Sequence, residues 1–475
     1  MKINPYIFRG YDIRGLVGED LNPEIVEHIG RAHGTILGKL GIKKAIVGHD
    51  CRQTSLEYSK AVIKGLNWAG IDVVFIGMEM VGTFYWSQYF LNSKGGVYVT
   101  ASHNPKQYNG FKLAIDFSET MVSEGIQELR KIVEEENYVK GENEGTVEEK
   151  NIRQDYFDDI LKRFEFVNKF KIVVDPSCST AGEIVPQILR QAGFEVVEKN
   201  CKIDPTFPLG TPDPTEMVVA KRLSEEVIEE TADVGLSYDA DGDRMGIVDG
   251  KGGIIWNDVL VALFAKGVLK KHPGDKIMFN TLCSKVVEDT IKNEGGVPFM
   301  WRTGHSFLKK KNQEVKAAFV GELSGHFFFS KDFYNHDDGI YSSLYLLEYL
   351  GKTGQSLAEA VNSLPKYISS PEIKLFCTDE KKVDLINKLI PVLQKDFPDA
   401  EIITDQRAGD GLRLNLDYGM FVVRYSQNGP YLTIKFEAKE QEKYEYLKKY
   451  IKNLLKKYPE IDWNPKINVN TEAFE

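Results

Sequence analysis

Through the first three quarters of the chain, short apolar runs alternate with stretches whose apolar positions recur every three or four residues. AIVGHD (45–50) reads as a strand and precedes a helix from about Ser55 to Gly70. VVFIGM (73–78) and VYVTAS (97–102) read as two more strands, the second running as far as Ser102. IVVDPS (172–177) precedes a helix opened by a capping box from Thr180 to Glu183. KIMFNT (276–281) precedes another helix from about Ser284. Continuous apolar strands between amphipathic helices indicate an α/β protein with largely buried sheets.

The joints are polar. Residues 133–150, VEEENYVKGENEGTVEEK, read as a solvated connection, and 204–216, DPTFPLGTPDPTE, with four prolines, as an extended loop. DGKGGIIWN (249–257) is a turn before a new helix, and near PKYISSPEI (365–373) the chain passes into a last unit. That unit has short strands (EIITD, LTIKFEA) and a helix, EKYEYLKKYIKNLLKK, whose lysine stripe is its solvated face.

Length adds a domain count. At 475 residues the chain exceeds what one core organises, so two to four domains are expected. Composition is that of a soluble globular protein, 42% hydrophobic and 27% charged. The net charge of -10 argues against nucleic acid or an anionic membrane as partner, yet leaves room for a small anionic substrate at a local basic cluster. Five scattered cysteines (51, 178, 201, 283, 377) without a CxxC pair read as reduced thiols in a cytosolic protein. MKINPYIFRGYDIRG does not read as a secretory signal, and the uncharged stretch Met80 to Ser93 is too short to span a bilayer.

The candidate chemistry lies in short polar clusters. DADGDR (239–244) sets Asp239, Asp241 and Asp243 at alternate positions, which in an extended segment point to one side. Crowded carboxylates repel unless a cation or hydrogen bonds offset them, and hard oxygen ligands suit Mg²⁺ or Ca²⁺. The other reading is a polar turn. An EF-hand is excluded, because its sixth and twelfth positions hold Arg244 and Gly250. TASHNP (100–105) puts Ser102 at a strand end, as a nucleophile, a phosphate carrier or a loop cap. It lacks the G-x-S-x-G of an α/β-hydrolase. A phosphate on Ser102 would bring about 1.5 to 2 negative charges, for which a metal on the aspartates is a natural counter-charge.

GELSGH (321–326) offers Glu322, Ser324 and His326 to sugar hydroxyls, and RTGHS (302–306) offers Arg302 and His305; both also read as ordinary turns or caps. RYSQNGP (424–430) places Arg424, Ser426 and Asn428 where a phosphate could be held, although Asn-Gly is equally a hairpin signal. Arg14 in YDIRG and Lys112 in NGFK are basic groups that suit charge stabilisation or proton transfer beside a phosphoserine.

In this order, YDIRG, TASHNP, DADGDR, GELSGH and RYSQNGP resemble the α-D-phosphohexomutase family over essentially the whole chain. FRGYDIRG, TGHS and GELSGH look most like its phosphomannomutase/phosphoglucomutase branch. The phosphoglucosamine mutases resemble it less, since they usually carry Gln where Leu323 stands. The resemblance implies three similar α/β domains with mixed sheets plus a smaller C-terminal α+β domain around a central cleft. The divisions fall at 1–150 (phosphoserine), 151–257 (metal), 258–370 (sugar) and 371–475 (phosphate). It implies reversible phosphoryl transfer between the 1- and 6-positions of a mannose or glucose phosphate, through phospho-Ser102 and a hexose 1,6-bisphosphate. Mg²⁺ would sit on Asp239, Asp241, Asp243 and Ser102, and a hexose 1,6-bisphosphate would serve as activator. Arg244 would help, with Arg14, Lys112 and His103 for charge or proton transfer. Glu322, Ser324, His305 and His326 would read sugar hydroxyls, and Arg424, Ser426 and Asn428 the non-reacting phosphate. The implied state is a cytoplasmic monomer or weak dimer. The sequence departs from the family in two places. Gln427, Asn428 and Gly429 replace the usual centre of the phosphate loop, and His49 replaces an Arg in GHDCR. Two other readings, a phosphoserine-dependent sugar phosphatase and a non-catalytic sugar-phosphate sensor, stand beside this one.

Overall fold

The computed structural model describes residues 3–426, 429–464 and 466–475. Its contacts divide the chain into two compact units. The first holds the chain up to Pro214, with Val219–Ile254 and His326–Leu357. The second holds Thr215–Val218, Ile255–Gly325 and Ala358–Glu475.

In the first unit, one mixed sheet is built from β1 (Ile13–Leu16), β2 (Lys44–His49), β3 (Asp72–Met78), β4 (Gly95–Val99), β5 (Tyr108–Asp116), β6 (Glu119–Thr120) and β7 (Val147–Glu149). Its order is β1-β5-β4-β2-β3-β7. β4, β2, β3 and β7 run parallel, while β5 pairs antiparallel with both β4 and β1. The charged segment 133–150, read as solvated connection, supplies the fully exposed edge strand β7. Strands β2 and β4 are buried almost throughout, as their unbroken apolar runs require when helices cover both faces. Helix Ser55–Trp68 shows why these segments are helical. Its buried positions Tyr58, Ser59, Val62, Ile63 and Leu66 return every three or four residues and form one face. Helix Pro23–Lys39 begins where the Asn22 side chain accepts the Ile25 N–H, with proline in its first turn.

A second mixed sheet of the first unit uses β8 (Lys171–Asp175), β9 (Glu195–Glu198), β10 (Val234–Tyr238) and β11 (Met245–Asp249), followed in the chain by β12 (Ile254–Ile255). β9, β8 and β10 are parallel and β11 returns antiparallel on β10. This repeats the pattern of β3, β2, β4 and β5. The expected capping box at Thr180 is absent. Thr180 accepts the Cys51 N–H instead (3.0 Å), and Glu183 binds Arg153, so tertiary partners take both groups.

In the second unit, β13 (Lys276–Asn280) lies between β14 (Val297–Trp301) and β15 (Phe319–Gly321), all parallel. β16 (Phe327–Phe328) and helix Gly339–Thr353 belong to the first unit. The last sheet contains β17 (Ile368–Ser369), β18 (Ile373–Phe376), β19 (Glu401–Ile403), β20 (Gly411–Leu416), β21 (Gly419–Tyr425) and β22 (Tyr431–Ala438), and its pairs are antiparallel. Helices Lys382–Asp396 and Gln441–Leu455 share its core through Leu385, Leu389, Leu447 and Ile451. Each such fully buried side chain contributes about 1.5–3 kcal/mol relative to exposure. Buried polar groups tie this sheet to the β13 layer. Arg413 donates to the Thr281 and Cys283 carbonyls (2.7 and 2.6 Å), Lys435 pairs with Asp258 (2.9 Å), and Glu437 accepts the Lys285 N–H (2.7 Å).

Candidate active site

Strand β4 ends at Val99, three residues before Ser102, not at the serine as the apolar pattern suggested. Ser102 has a left-handed backbone (φ 47°) and is 3% exposed. A non-glycine residue there needs its surroundings to hold it, and two arginines do so. Arg52 donates from Nη2 to the carbonyls of Ser102 and Asn104 (2.5 and 2.6 Å) and from Nη1 to those of Pro105 and Tyr108 (3.0 Å each). Its Nε lies 3.2 Å from Asp50 Oδ2. Asp50 also accepts from Thr100 Oγ1 (2.7 Å), which in turn accepts the Ser102 N–H (2.8 Å). Arg14 is held by Asp12 and donates to Ala101 O and Asn104 Oδ1 (3.3 and 2.6 Å). Arg14 therefore shapes the loop. Its guanidinium also brings fixed positive charge beside the serine loop.

Residues 239–244 join β10 to β11 as a curled turn, not as an extended segment with alternating sides. Gly242 makes the curl possible. Its φ is 72°, and a Cβ there would lie 2.2 Å from Met80 Cε. The curl still brings one oxygen each of Asp239, Asp241 and Asp243 within 4.8 Å of one another, all buried. Ser102 Oγ donates to Asp239 Oδ2 (2.8 Å) and lies 3.2 Å from His103 Nδ1. Arg244 donates from Nη2 to Ser102 Oγ (3.2 Å) and from Nε to Asp239 Oδ2 (3.0 Å). Lys112, on β5, reaches Asp241 Oδ2 (3.0 Å) and Asp243 Oδ2 (2.5 Å). The serine loop, the aspartates, Arg244 and Lys112 are thus one cluster inside the first unit.

The electrostatics follow from that crowding. Burial, then Asp243 and Asp241, push the Asp239 carboxyl well up. Burial would also raise Asp241, but Lys112 outweighs it and holds the group at about 2. Burial opposes the charge of Lys112, yet Asp241 and Asp243 raise its pKa well above the usual ammonium range. Lys112 thus stands in this cluster as an ammonium paired with two carboxylates. Asp241 Oδ1 and Asp243 Oδ1 are buried and accept no hydrogen bond from the described residues. Buried acceptors left in this state are what a hard divalent cation satisfies, so the donor set fits Mg²⁺.

His326 was expected to read sugar beside Glu322 and Ser324. It belongs to the first unit, with Nδ1 2.6 Å from Asp337 Oδ2 and 3.6 Å from Asp243 Oδ1. Asp337, Asp50, Asp12 and Arg52 escaped the sequence reading. Asp12 stands in YDIRG, and Asp50 and Arg52 in GHDCR, while the signal for Asp337 was the acidic pair before helix Gly339–Thr353.

In the second unit, Glu322 Oε1 accepts the Gly304 N–H (2.9 Å) and Asn280 Nδ2 (3.3 Å), and Asn280 Nδ2 also donates to Thr303 Oγ1 (3.1 Å). The GELSGH and RTGHS loops are therefore joined through one asparagine. His305 is buried at the start of its helix, and Ser324 is half-buried. Arg302 places its guanidinium over the Phe307 ring, 4.2 Å away. Arg424 lies on β21, which pairs antiparallel with β22. Arg424 donates from Nε to Asp410 Oδ1 (2.8 Å) and from Nη2 to Asp410 Oδ2, so one edge of its fork is taken by a carboxylate. Lys382 donates to the carbonyls of Ser426 and Gly429 (2.6 and 3.1 Å). Asn428 lies outside the described residues, as does Gln427.

Comparison with known proteins gives consistent matches. Residues 5–140, 154–252 and 256–367 match the families described as phosphoglucomutase/phosphomannomutase alpha/beta/alpha domains I, II and III. A phosphomannomutase/phosphoglucomutase of Pseudomonas aeruginosa is 38% identical over 452 residues, 95% of each chain. A phosphoglucomutase of Neisseria meningitidis is 34% identical, over 96% of this chain and 98% of its own. The crystal structure of a phosphoglucomutase/phosphomannomutase family protein from Burkholderia thailandensis superposes with a TM-score of 0.88 at 32% identity, covering 96% of this chain and 98% of the other.

Proposed function

Because this chain belongs to the phosphoglucomutase/phosphomannomutase family and is a hexose-phosphate mutase, we propose that Ser102 Oγ carries the phosphoryl group it moves. The observation that supports this reading is the placement of Ser102 Oγ, buried and in hydrogen-bond contact with both Asp239 and Arg244. The phosphate of phospho-Ser102 passes to a free hydroxyl of a hexose 1- or 6-phosphate. The bond from phosphorus to Ser102 Oγ breaks as the bond to the sugar oxygen forms, giving the 1,6-bisphosphate. The bisphosphate then returns its other phosphate to Ser102.

Asp239, Asp241 and Asp243, with the serine phosphate, would hold Mg²⁺, which when bound supplies neutralising charge to the transferring group. Arg244 and Lys112 add fixed positive charge at the same place, and such prearranged electrostatics are the main protein contribution to phosphoryl transfer. His326 stands within this cluster, and imidazole is the side chain whose ordinary pKa lies nearest neutrality. It is our candidate to take the sugar hydroxyl proton, Asp337 fixing its ring. His103 lies against the serine oxygen. Glu322, Ser324 and His305 are assigned to sugar hydroxyls. Arg424, Ser426 and Asn428 are assigned to the distal phosphate, Arg424 through the nitrogen that Asp410 leaves open. We keep the four-part division 1–150, 151–257, 258–370 and 371–475. We place the enzyme in the cytoplasm, a reducing compartment that fits its free thiols.

The test is ³¹P NMR with Mg²⁺, a trace of glucose 1,6-bisphosphate as activator, and mannose 1-phosphate or glucose 1-phosphate as substrate. Conversion to the 6-phosphates is expected, and Ser102→Ala abolishes it with the fold intact. Near-normal conversion by that variant would end the carrier reading, and release of free phosphate without isomerisation would favour a phosphatase.

A further inference from the structure

The proline-rich stretch after β9 plays no part in the chemistry above, yet it touches Arg52, which holds the serine loop, and Arg244, which donates to Ser102 Oγ. The portion of it in the first unit, residues 204–214, is anchored by its own short bonds. Asp204 N donates to Cys178 O (2.9 Å), Thr206 N and Oγ1 donate to Asp204 Oδ1, and Phe207 N donates to Asp204 O (3.0 Å). Phe207 is a bulky residue in the left-handed region (φ 48°) and is buried. A conformation of that kind persists only where surrounding contacts fix it. Its ring centroid lies 5.2 Å from the Arg52 guanidinium carbon. The ring also packs in one cluster with Cys51, beside Arg52, and with Ala240, inside the carboxylate turn. Six residues on, the buried Asp213 lies with Oδ1 3.5 Å from Arg244 Nη1. Pro214 follows so closely against β11 that a Cβ on Gly246 would lie 2.7 Å from its ring.

We propose that this loop is a positioning device for the reaction, in which Phe207 sets the plane of Arg52 and Asp213 sets the rotation of Arg244. A planar guanidinium is fixed when a ring covers its face and its edges are bonded. Arg52 has four carbonyls on its edges and Phe207 on its face. Arg244 has Asp239 on Nε and Ser102 on Nη2, and Asp213 occupies the remaining nitrogen, which leaves one orientation. Phosphoryl transfer depends on such alignment, and a small displacement of a positioned group costs rate without costing substrate affinity. The four prolines hold the loop in this shape by removing alternatives from the unfolded chain. Neither residue touches the reacting atoms, so both are positioning residues. The inference rests on the reading of Ser102 as carrier.

The experiment compares the full-length protein with Asp213→Asn, Asp213→Glu and Phe207→Leu. Asp213→Asn keeps the shape and removes the charge. Phe207→Leu keeps apolar bulk against Cys51 and Ala240 and removes the ring face. With Mg²⁺ present, a single turnover of ³²P-labelled glucose 1,6-bisphosphate reports how fast label reaches Ser102, alongside kcat, KM and the melting temperature. In Asp213→Asn and Phe207→Leu, labelling rate and kcat are expected to fall together by about tenfold or more, with KM within about twofold. Their melting temperatures should stay within about 3 °C of the parent, and Asp213→Glu recovers most of the rate. Labelling within about twofold of the parent in whichever of the two variants folds would overturn the proposal. So would a kcat loss matched by an equal loss of melting stability. A parent protein that takes no label on Ser102 would instead sink the carrier reading, and this inference with it.

Discussion

Arg52 does more for the candidate site than any residue read from the sequence, because four of its bonds end on main-chain carbonyls of one loop. An ammonium cannot reproduce that fork, so Arg52→Lys leaves carbonyls of the loop without their donors. We expect a loss of about 2 kcal/mol in urea unfolding and of about tenfold to a hundredfold in kcat, read by the same NMR assay. An unchanged kcat would mean that the loop holds its shape without the clamp. His33 gives a pH dependence. Burial holds its imidazole down at about 4, with Nε2 3.1 Å from the Gly96 carbonyl. Its unfolded-state pKa is about 6.5, so the unfolded chain takes up the proton first. The contribution is present above about pH 6.5 and is lost as pH falls towards 4, a decline of about 3 kcal/mol from this residue. Urea midpoints at pH 7 and 4.5 measure it, and His33→Gln should flatten the difference. Equal slopes in parent and variant would clear His33 of the effect.

At the level of elements, the site loops share an address. The serine loop follows β4, the carboxylate turn follows β10, and GELSGH follows β15, each the strand that continues a parallel layer. The first two then return as an antiparallel strand. Gly242→Ala tests how strictly the carboxylate turn is specified. It forces a left-handed alanine and meets Met80, costing about 1–2 kcal/mol in thermal unfolding and weakening Mg²⁺ activation. Met80→Ala in the same chain relieves only the contact, so a full recovery would show that φ is not the constraint. Much of this level was legible in the sequence. AIVGHD lies on β2, KIMFNT on β13, and the helices after them begin at Ser55 and Lys285. Periodicity reports burial, and burial is what these elements share. The misreadings have one physical source. Thr180 and Ser102 were read by local rules, whereas they are bound by partners far along the chain, Cys51 and Arg52. Arg52 and Asp337 were invisible for the same reason, since nothing near them in sequence announces what they hold.

For the whole molecule, two contact units with separate cores predict unfolding in more than one step. Calorimetry should give a calorimetric enthalpy above the van't Hoff value. Mg²⁺ should raise only the transition of the unit that holds Asp239, Asp241 and Asp243. A single transition, moving as one with Mg²⁺, would show the units to be coupled tightly enough to melt together.

The segment His326–Leu357 belongs to the first unit although the chain has by then entered the second. This carries a consequence for synthesis. A ribosome delivers Ser102 and the three aspartates early, but His326 and Asp337 only after the β13 layer has been made. Domains tend to fold in order of emergence. A nascent chain therefore holds a serine and a carboxylate cluster without the imidazole we assign to proton transfer. Its phosphoryl chemistry waits until translation has passed that segment, and a chain stalled before it would carry an unfinished centre.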